Sequence, residues 1–445
     1  MKFKGLASIA LMLALCALVL APATSAGHAS ATSARHVADE GERKGPYATR
    51  EGRLLIFDEV WEQVSERYFD PSFRGVDWQV ARRDLRPLAG EARDEAELYA
   101  VLRRMLGRLH DPHTRVFAPG DGTDWRVQHY VSVGVSVREL GGALLVADVE
   151  HDSQAARAGV RAGDELLSVG GETSDALFAR KLSETAAGEG RAARLQAVAH
   201  LFDGPADSTV ALDFRRAGES RVRTARLRRE SRTRVPTFDA RREGGARLVH
   251  FNIFTPEVAA QFAHSLRTKL KGARALVIDL RDNGGGEADA MADVASALLP
   301  AGLSLGRFTD RAGQVSLEPF TRAALYSSAE TLERFSGPVV VLTNARTASA
   351  AEVFAAAMRE RHRALVVGEQ TCGCVLGIRR RHVLPDGGVL DVSEMDYRTA
   401  AGSRLEGSGL TPDMEVAPTL EDLRRKRDRA LTLALELLKA QENKG

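Results

Sequence analysis

Apolar positions along this chain change period several times, and each change marks a different kind of element. From Leu54 the residues Leu55, Phe57, Val60, Trp61, Val64 and Tyr68 recur at helical spacing. A second helix is predicted to open at Val76-Asp77-Trp78 and a third to run over 96–109, so the first ordered unit is helical. From Val133 the period drops to two. Val133-Gly134-Val135-Ser136-Val137 and Ala143-Leu144-Leu145-Val146-Ala147 read as strands, Ser153-Gln154-Ala155-Ala156 as a capped short helix, and 210–216 as a closing strand. A long insert, 183–205, interrupts that β-rich segment.

From Pro236 apolar strands alternate with helices. Strands are predicted over 248–253, 275–280, 339–342 and 365–367, with helices over 256–271, 287–299 and 352–361 between them. Such alternation argues an α/β layer around a mostly parallel sheet, and 420–440 reads as an amphipathic surface helix. Two turns at strand ends carry candidate chemistry. Asn344-Ala345-Arg346-Thr347-Ala348-Ser349 leaves a strand and enters an alanine-rich helix, placing Ser349 where free amides and the positive end of the helix dipole gather. Asp282-Asn283-Gly284-Gly285-Gly286 ends another strand, and its glycines let backbone amides approach a ligand closely. A phosphate-binding reading fails because no Gly-Lys-Ser/Thr follows.

Together these motifs resemble the C-terminal processing, or tail-specific, peptidases. The resemblance rests on Asp279-Leu280-Arg281 with the glycine triplet, on Thr347-Ala348-Ser349-Ala350 with Glu352, on Val367-Gly368-Glu369-Gln370-Thr371, and on Glu406-Gly407-Ser408-Gly409-Leu410-Thr411-Pro412-Asp413. It implies a multidomain α/β fold: a helical N-terminal segment (51–125), a PDZ-like β domain (126–230), an α/β peptidase core of the ClpP/crotonase-like type (231–418) and a C-terminal helix (419–445). It also implies Ser349 as nucleophile, with the amides of Gly285 and Ala350 as oxyanion donors. A PDZ-like domain would bind a peptide's C-terminal carboxylate near Gly134 and Val135, adding the peptide as a strand.

One departure from the family is large. The tail-specific members use a lysine base, whose place here is held by Cys374, with Ile378 where a glutamine is usual. No lysine occurs between Lys271 and Lys426. The related tricorn-like peptidases draw a histidine from a motif resembling Leu109-His110-Asp111-Pro112-His113-Thr114, and a glutamate near the position of Glu406. That resemblance implies His113 as general base and Glu406 as its orienter, and an imidazole of pKa about 6.5 suits neutral pH. His382, a Cys374 thiolate or no base at all remain alternatives. The last would make the chain a catalytically inactive peptide- or ligand-binding protein, as in the retinoid-binding modules that share this fold, or a scaffold. Cys372 and Cys374 are two ligands short of a zinc site. Neighbours so close are expected to stay as small buried thiols rather than to join.

Residues 1–26 read as a secretory signal: Lys2 and Lys4, a largely apolar run over 6–20, and Thr24-Ser25-Ala26 as a cleavage site. A polar tether (27–50) follows. The mature chain is expected in a periplasm or beyond, without stable membrane insertion and without a disulfide framework. Across 445 residues, 44% are hydrophobic and 27% charged, an ordinary globular balance. A net charge of +2, lost with Lys2 and Lys4, gives no support to nucleic-acid binding. The expected partners are protein or peptide substrates and a second copy of the chain. No metal or cofactor is expected.

Overall fold

The computed structural model describes residues 46–121, 124, 126–184 and 190–442; the expected leader and most of the tether lie outside the described residues. Helices Arg50–Arg67, Trp78–Glu91 and Glu95–Gly107 form the N-terminal unit, each started by a side-chain cap from Thr49, Asp77 or Asp94. Their inner stripe buries Ile56, Phe57, Val60, Trp61, Val64 and Tyr68. Leu55, expected in that stripe, is 56% exposed, because Ile56 takes the inward position.

The β-rich domain is a sheet in the order Val135–Leu140, Ala143–Val149, Glu165–Val169, Thr209–Arg215, Val222–Arg228, with antiparallel neighbours throughout. Val135–Leu140 is an edge strand. The insert contributes helix Arg191–Ala199, which buries Ala193 and Ala197 and sends Val198 into this domain's core, followed by Leu201 and Phe202. Strands Gln128–Ser132 and Glu230–Arg234 pair with each other and tie the domain to its flanks.

The core sheet runs Phe238–Glu243, Ala246–Phe251, Leu276–Asp279, Val339–Thr343, Leu365–Gly368, Met414–Glu415. The first pair is antiparallel and the others are parallel. Alternation along each strand divides the sheet between two cores. Val249, Leu276, Ile278, Val341 and Val366 face helices Pro256–Arg267, Ala288–Ser296 and Ala350–Glu360. Leu248, Val277, Val340, Leu342 and Val367 face the other way, onto Ala430, Ala434 and Leu438. The C-terminal region is therefore a structural layer rather than a surface helix. It is also two helices, Leu420–Arg425 and Arg429–Glu442, because Lys426 turns left-handed (φ 51°) and Asp428 caps the second.

A second sheet, unanticipated from sequence, joins the helical unit to strands from late in the chain. Val389–Arg398 pairs with Gly377–Val383, with Arg307–Asp310 and with Arg115–Phe117. In the last pairing Arg115 lies opposite Asp391 and Val116 opposite Leu390, and Leu384, Leu390 and Val392 complete the helical unit's core. This ladder carries the His113 turn to the peptidase core.

If the last helix is a core layer, Leu438→Ala should cost about 2–5 kcal/mol, the usual penalty for emptying a buried leucine site. Urea denaturation should show the midpoint falling; a midpoint unchanged from wild type would mean that the layer contributes nothing.

Candidate active site

Ser349 stands at the start of helix Ala350–Glu360 with φ 55° and ψ −125°, a conformation that disfavours side chains and costs about 1–3 kcal/mol. The surroundings hold it there. Its N–H donates to the Cys374 carbonyl (2.8 Å) and to Glu352 Oε2 (3.1 Å), the Ala348 N–H donates to the Asn283 carbonyl (3.0 Å), and Thr347 Oγ1 donates to the Leu280 carbonyl (2.8 Å). The glycine turn backs directly onto it. A Cβ on Gly285 would lie 2.6 Å from the Ser349 Cβ, which explains the glycine.

Glu352 organises the wall beside Ser349. Its carboxylate is fully buried, and it accepts from Thr371 Oγ1 (2.5 Å), Gly373 N (2.8 Å), Cys374 N (2.9 Å) and Ser349 N. Burial pushes its pKa up to about 6 against these donors. The Cys372 and Cys374 sulfurs are joined as a disulfide, contrary to expectation: Gly373, at φ 76°, folds the chain so that their Cα atoms sit 5.3 Å apart. Cys374 is therefore not a free thiolate in this structure.

Ser349 and His113 line one cavity of about 640 Å³, with Gly286, Ala350, Cys372 and Cys374 in its wall. No hydrogen bond joins Ser349 to His113 among the described residues. The His113 ring is largely buried, and its Nδ1 lies 3.8 Å from Asp111 Oδ1 with no hydrogen-bond partner. Burial lowers its pKa, opposed by the Asp111 charge. Asp111 is fixed in turn by the His113 N–H (2.9 Å) and Thr114 Oγ1 (2.5 Å), and the Ser393 amide donates to that same threonine oxygen (3.0 Å).

Glu406 does not take the place expected beside His113. Its Oε2 accepts from the Val375 amide (2.9 Å) and its Oε1 lies 3.4 Å from Arg74 Nη1, so it braces the same wall from behind. Burial, reinforced by Asp111, pushes it up to about 7. The Gly285 amide is likewise committed, to Asn283 Oδ1 (2.9 Å), whereas the amides of Gly286 and Ala350 find no acceptor among the described residues. His382 is paired with Glu394 (2.9 Å) and does not line the cavity. In the β-rich domain the Gly134 amide is taken by Ser132 Oγ (2.9 Å), and Val135 begins the edge strand. Arg346, in the serine turn, reaches the Val137 carbonyl of that strand (3.4 Å), and Arg138 pairs with Glu369 (2.6 Å).

Residues 235–416 match the sequence profile of Peptidase family S41, and residues 50–107 that of the Tricorn protease C1 domain. Over 393 residues the chain is 30% identical to the chloroplastic C-terminal processing peptidase of Tetradesmus obliquus, covering 82% of this chain and 77% of that protein. This chain belongs to the C-terminal processing peptidases. A carboxyl-terminal-processing protease of Picosynechococcus sp. is also 30% identical, over 392 residues covering 83% of this chain and 84% of that one. The solved photosystem II D1 C-terminal processing protease is similar at 28% identity and a TM-score of 0.54, over 85% of this chain and 98% of that one. Members of the family are serine hydrolases, and this processing peptidase is an enzyme of that type. Among the described residues no lysine lines its cavity.

Sequence reasoning gave no role to Asp111, although it stands two residues before His113 in the quoted motif. It also gave none to Glu352, which appeared only as a motif letter, and it had no means of separating Gly286 from Gly285.

Raised carboxyl pKa values make a pH test. Folding binds protons at Glu352 and Glu406 more tightly than the unfolded chain does, so their contribution is complete below about pH 4.5 and is lost as pH rises through about 6 and about 7. Glu406→Gln should flatten the fall of the urea midpoint across that window; an unaltered pH slope would show that Glu406 is not held above its ordinary value.

Proposed function

We propose that this processing peptidase is an exported serine endopeptidase that shortens proteins recognised by their C-terminal residues. Ser349 is its nucleophile and His113 its general base. One observation carries the assignment: the only imidazole lining the cavity with Ser349, among the described residues, is that of His113, and no lysine is there to replace it.

In this reading Asp111 accepts a hydrogen bond from the Nδ1–H of His113, fixing the tautomer and leaving Nε2 to take the proton of the Ser349 hydroxyl. Catalytic contacts are often long in a free enzyme and tighten around substrate, which accommodates the 3.8 Å separation of Asp111 and His113. Burial keeps the imidazole neutral at neutral pH, as a base must be. Attack on the scissile carbonyl puts charge on its oxygen, and the open amides of Ala350 and Gly286 are the donors that receive it. The imidazolium then protonates the leaving amine, and water repeats the sequence on the acyl-enzyme. Glu406 is a positioning residue that holds Val375.

Tail recognition is assigned to the β-rich, PDZ-like domain. Its edge strand Val135–Leu140 can accept a peptide as a further strand, and Arg346 ties that strand to the serine turn. Export is supported by the residues of the expected leader and by a disulfide, which persists in oxidising compartments. No helix among the described residues is long and apolar enough to cross a membrane.

A fluorophosphonate probe should label wild type and not Ser349→Ala; labelling of both alike would end the serine assignment. His113→Ala should lower kcat about 100- to 10,000-fold on a fluorogenic peptide while Ser349 remains folded in its turn. It should also remove the acid limb of the pH–rate profile, which lies below the ordinary histidine value. A rate close to wild type would exclude His113. Amidating a substrate's C-terminus should raise KM with little change in kcat, and equal KM values would argue against tail recognition.

A further inference from the structure

The segment from Thr371 to Leu376 has no regular secondary structure, yet each amide from Thr371 to Val375 has an acceptor, three of them in the serine turn and Glu352. Cys372 N donates to the Thr347 carbonyl (3.0 Å), Gly373 N and Cys374 N donate to Glu352, and the Cys374 carbonyl accepts from Ser349 N. Behind it, the Gly373 carbonyl accepts from Gly407 N (2.8 Å), and a Cβ at Gly373 would lie 2.7 Å from Gly409 N. The loop is therefore clamped between the serine turn on one side and residues 407–409 on the other. A disulfide sits at its centre, and both cysteines line the active-site cavity. Cys372 is half-buried, whereas Cys374 is 4% exposed.

We propose that the Cys372–Cys374 disulfide is a thiol-exchange site in the wall of the active cleft, opened by a small dithiol, and that its opening loosens the turn that holds Ser349. Its effect on rate rests on the reading of Ser349 as nucleophile. The chemistry is ordinary exchange. One thiolate of the dithiol attacks the more exposed Cys372 sulfur, the S–S bond breaks, and the electron pair leaves on Cys374, which takes a proton. The second thiol of the reagent attacks its own sulfur in the mixed disulfide and releases Cys372, also protonated. The dithiol ends as a cyclic disulfide, and two electrons and two protons have passed to the cysteines.

The consequence for the turn is steric. Two free thiols are non-bonded neighbours and need roughly 3.5–4 Å between heavy atoms. The wall around them is close-packed, with Val375 and Leu376 at 1% exposure, and such packing passes displacement on to neighbours. Gly373 and the two cysteine backbones are the atoms that can yield, and they supply two of the four donors to Glu352 and the acceptor of Ser349 N–H. The cross-link closes too small a ring to act through chain entropy over a long segment, so its effect is local.

The test uses the full chain with dithiothreitol as the reductant. Iodoacetamide should add nothing to the peptide 364–379 of the native protein and two carbamidomethyl groups after reduction. Amide hydrogen exchange over 347–352 and 371–376 should speed up on reduction. Fluorophosphonate labelling of Ser349 should slow about tenfold and recover on reoxidation with the oxidised dithiol, whereas the double variant Cys372→Ser, Cys374→Ser should label at one rate under both conditions. Two free thiols in the native protein would overturn the proposal, as would reduction that leaves amide exchange unchanged. If Ser349 is labelled in neither state, the hydrolase reading fails by itself, and exchange still decides whether the disulfide holds the turn.

Discussion

A carboxylate without a cation beside it is an expensive thing to bury, and the candidate active site of this processing peptidase is built around one. Glu352 is completely enclosed, and four donors meet its two oxygens: a threonine hydroxyl, two amides of the cysteine loop and the amide of Ser349. Removing any of these partners would leave part of a buried charge unanswered, at a cost that can exceed the value of the bond itself. The serine turn, with its left-handed residue, and the cysteine loop, with its left-handed glycine, are irregular backbones that depend on this shared acceptor. Glu406, which does have a cation beside it in Arg74, holds the next amide along, that of Val375.

The second organising contact is a backbone ladder. Three residues, Arg115–Phe117, pair with Val389–Asp391 near the other end of the chain, and the turn before them carries Asp111 and His113. Arg115 and Arg381 both face the buried Asp391, so the ladder is reinforced by charge where it lies nearest the cavity. Leu384, Leu390 and Val392 then bind the helical unit to this sheet through its own core. Position and chemistry thus share a cause: the hydrophobic seam that assembles the two parts also aims the imidazole.

How far this was readable from the sequence depended on whether a signal was local. The serine turn was visible because strand, small-residue turn and helix follow one another within about twenty residues. The mostly parallel core sheet was visible through strand–helix alternation, but not the layer that covers its second face. His113 was reachable only through a resemblance, since nothing near it in sequence points to a serine more than two hundred residues away. The second sheet was obscured because its strands carry charge: Arg379-Arg380-Arg381 reads as a solvated run, and the pairing of Arg381 with Asp391 exists only once the strands are side by side. The terminal helix looked like surface because its Leu and Ala positions alternate with Arg, Glu and Lys, and burial there is decided by the opposite face of the sheet. Gly285 and Gly286 are identical letters; only the Asn283 side chain, folding back on one of them, tells their amides apart.

The ladder between residues 115–117 and 389–391 has a temporal meaning as well. A growing polypeptide makes the helical segment first, then Ser349, and only later the strand that draws the His113 turn in. With His113 as base, the alcohol stays inert through synthesis, since its activator arrives only with a late strand of the sheet. The topology would make completion of the fold the condition for activity.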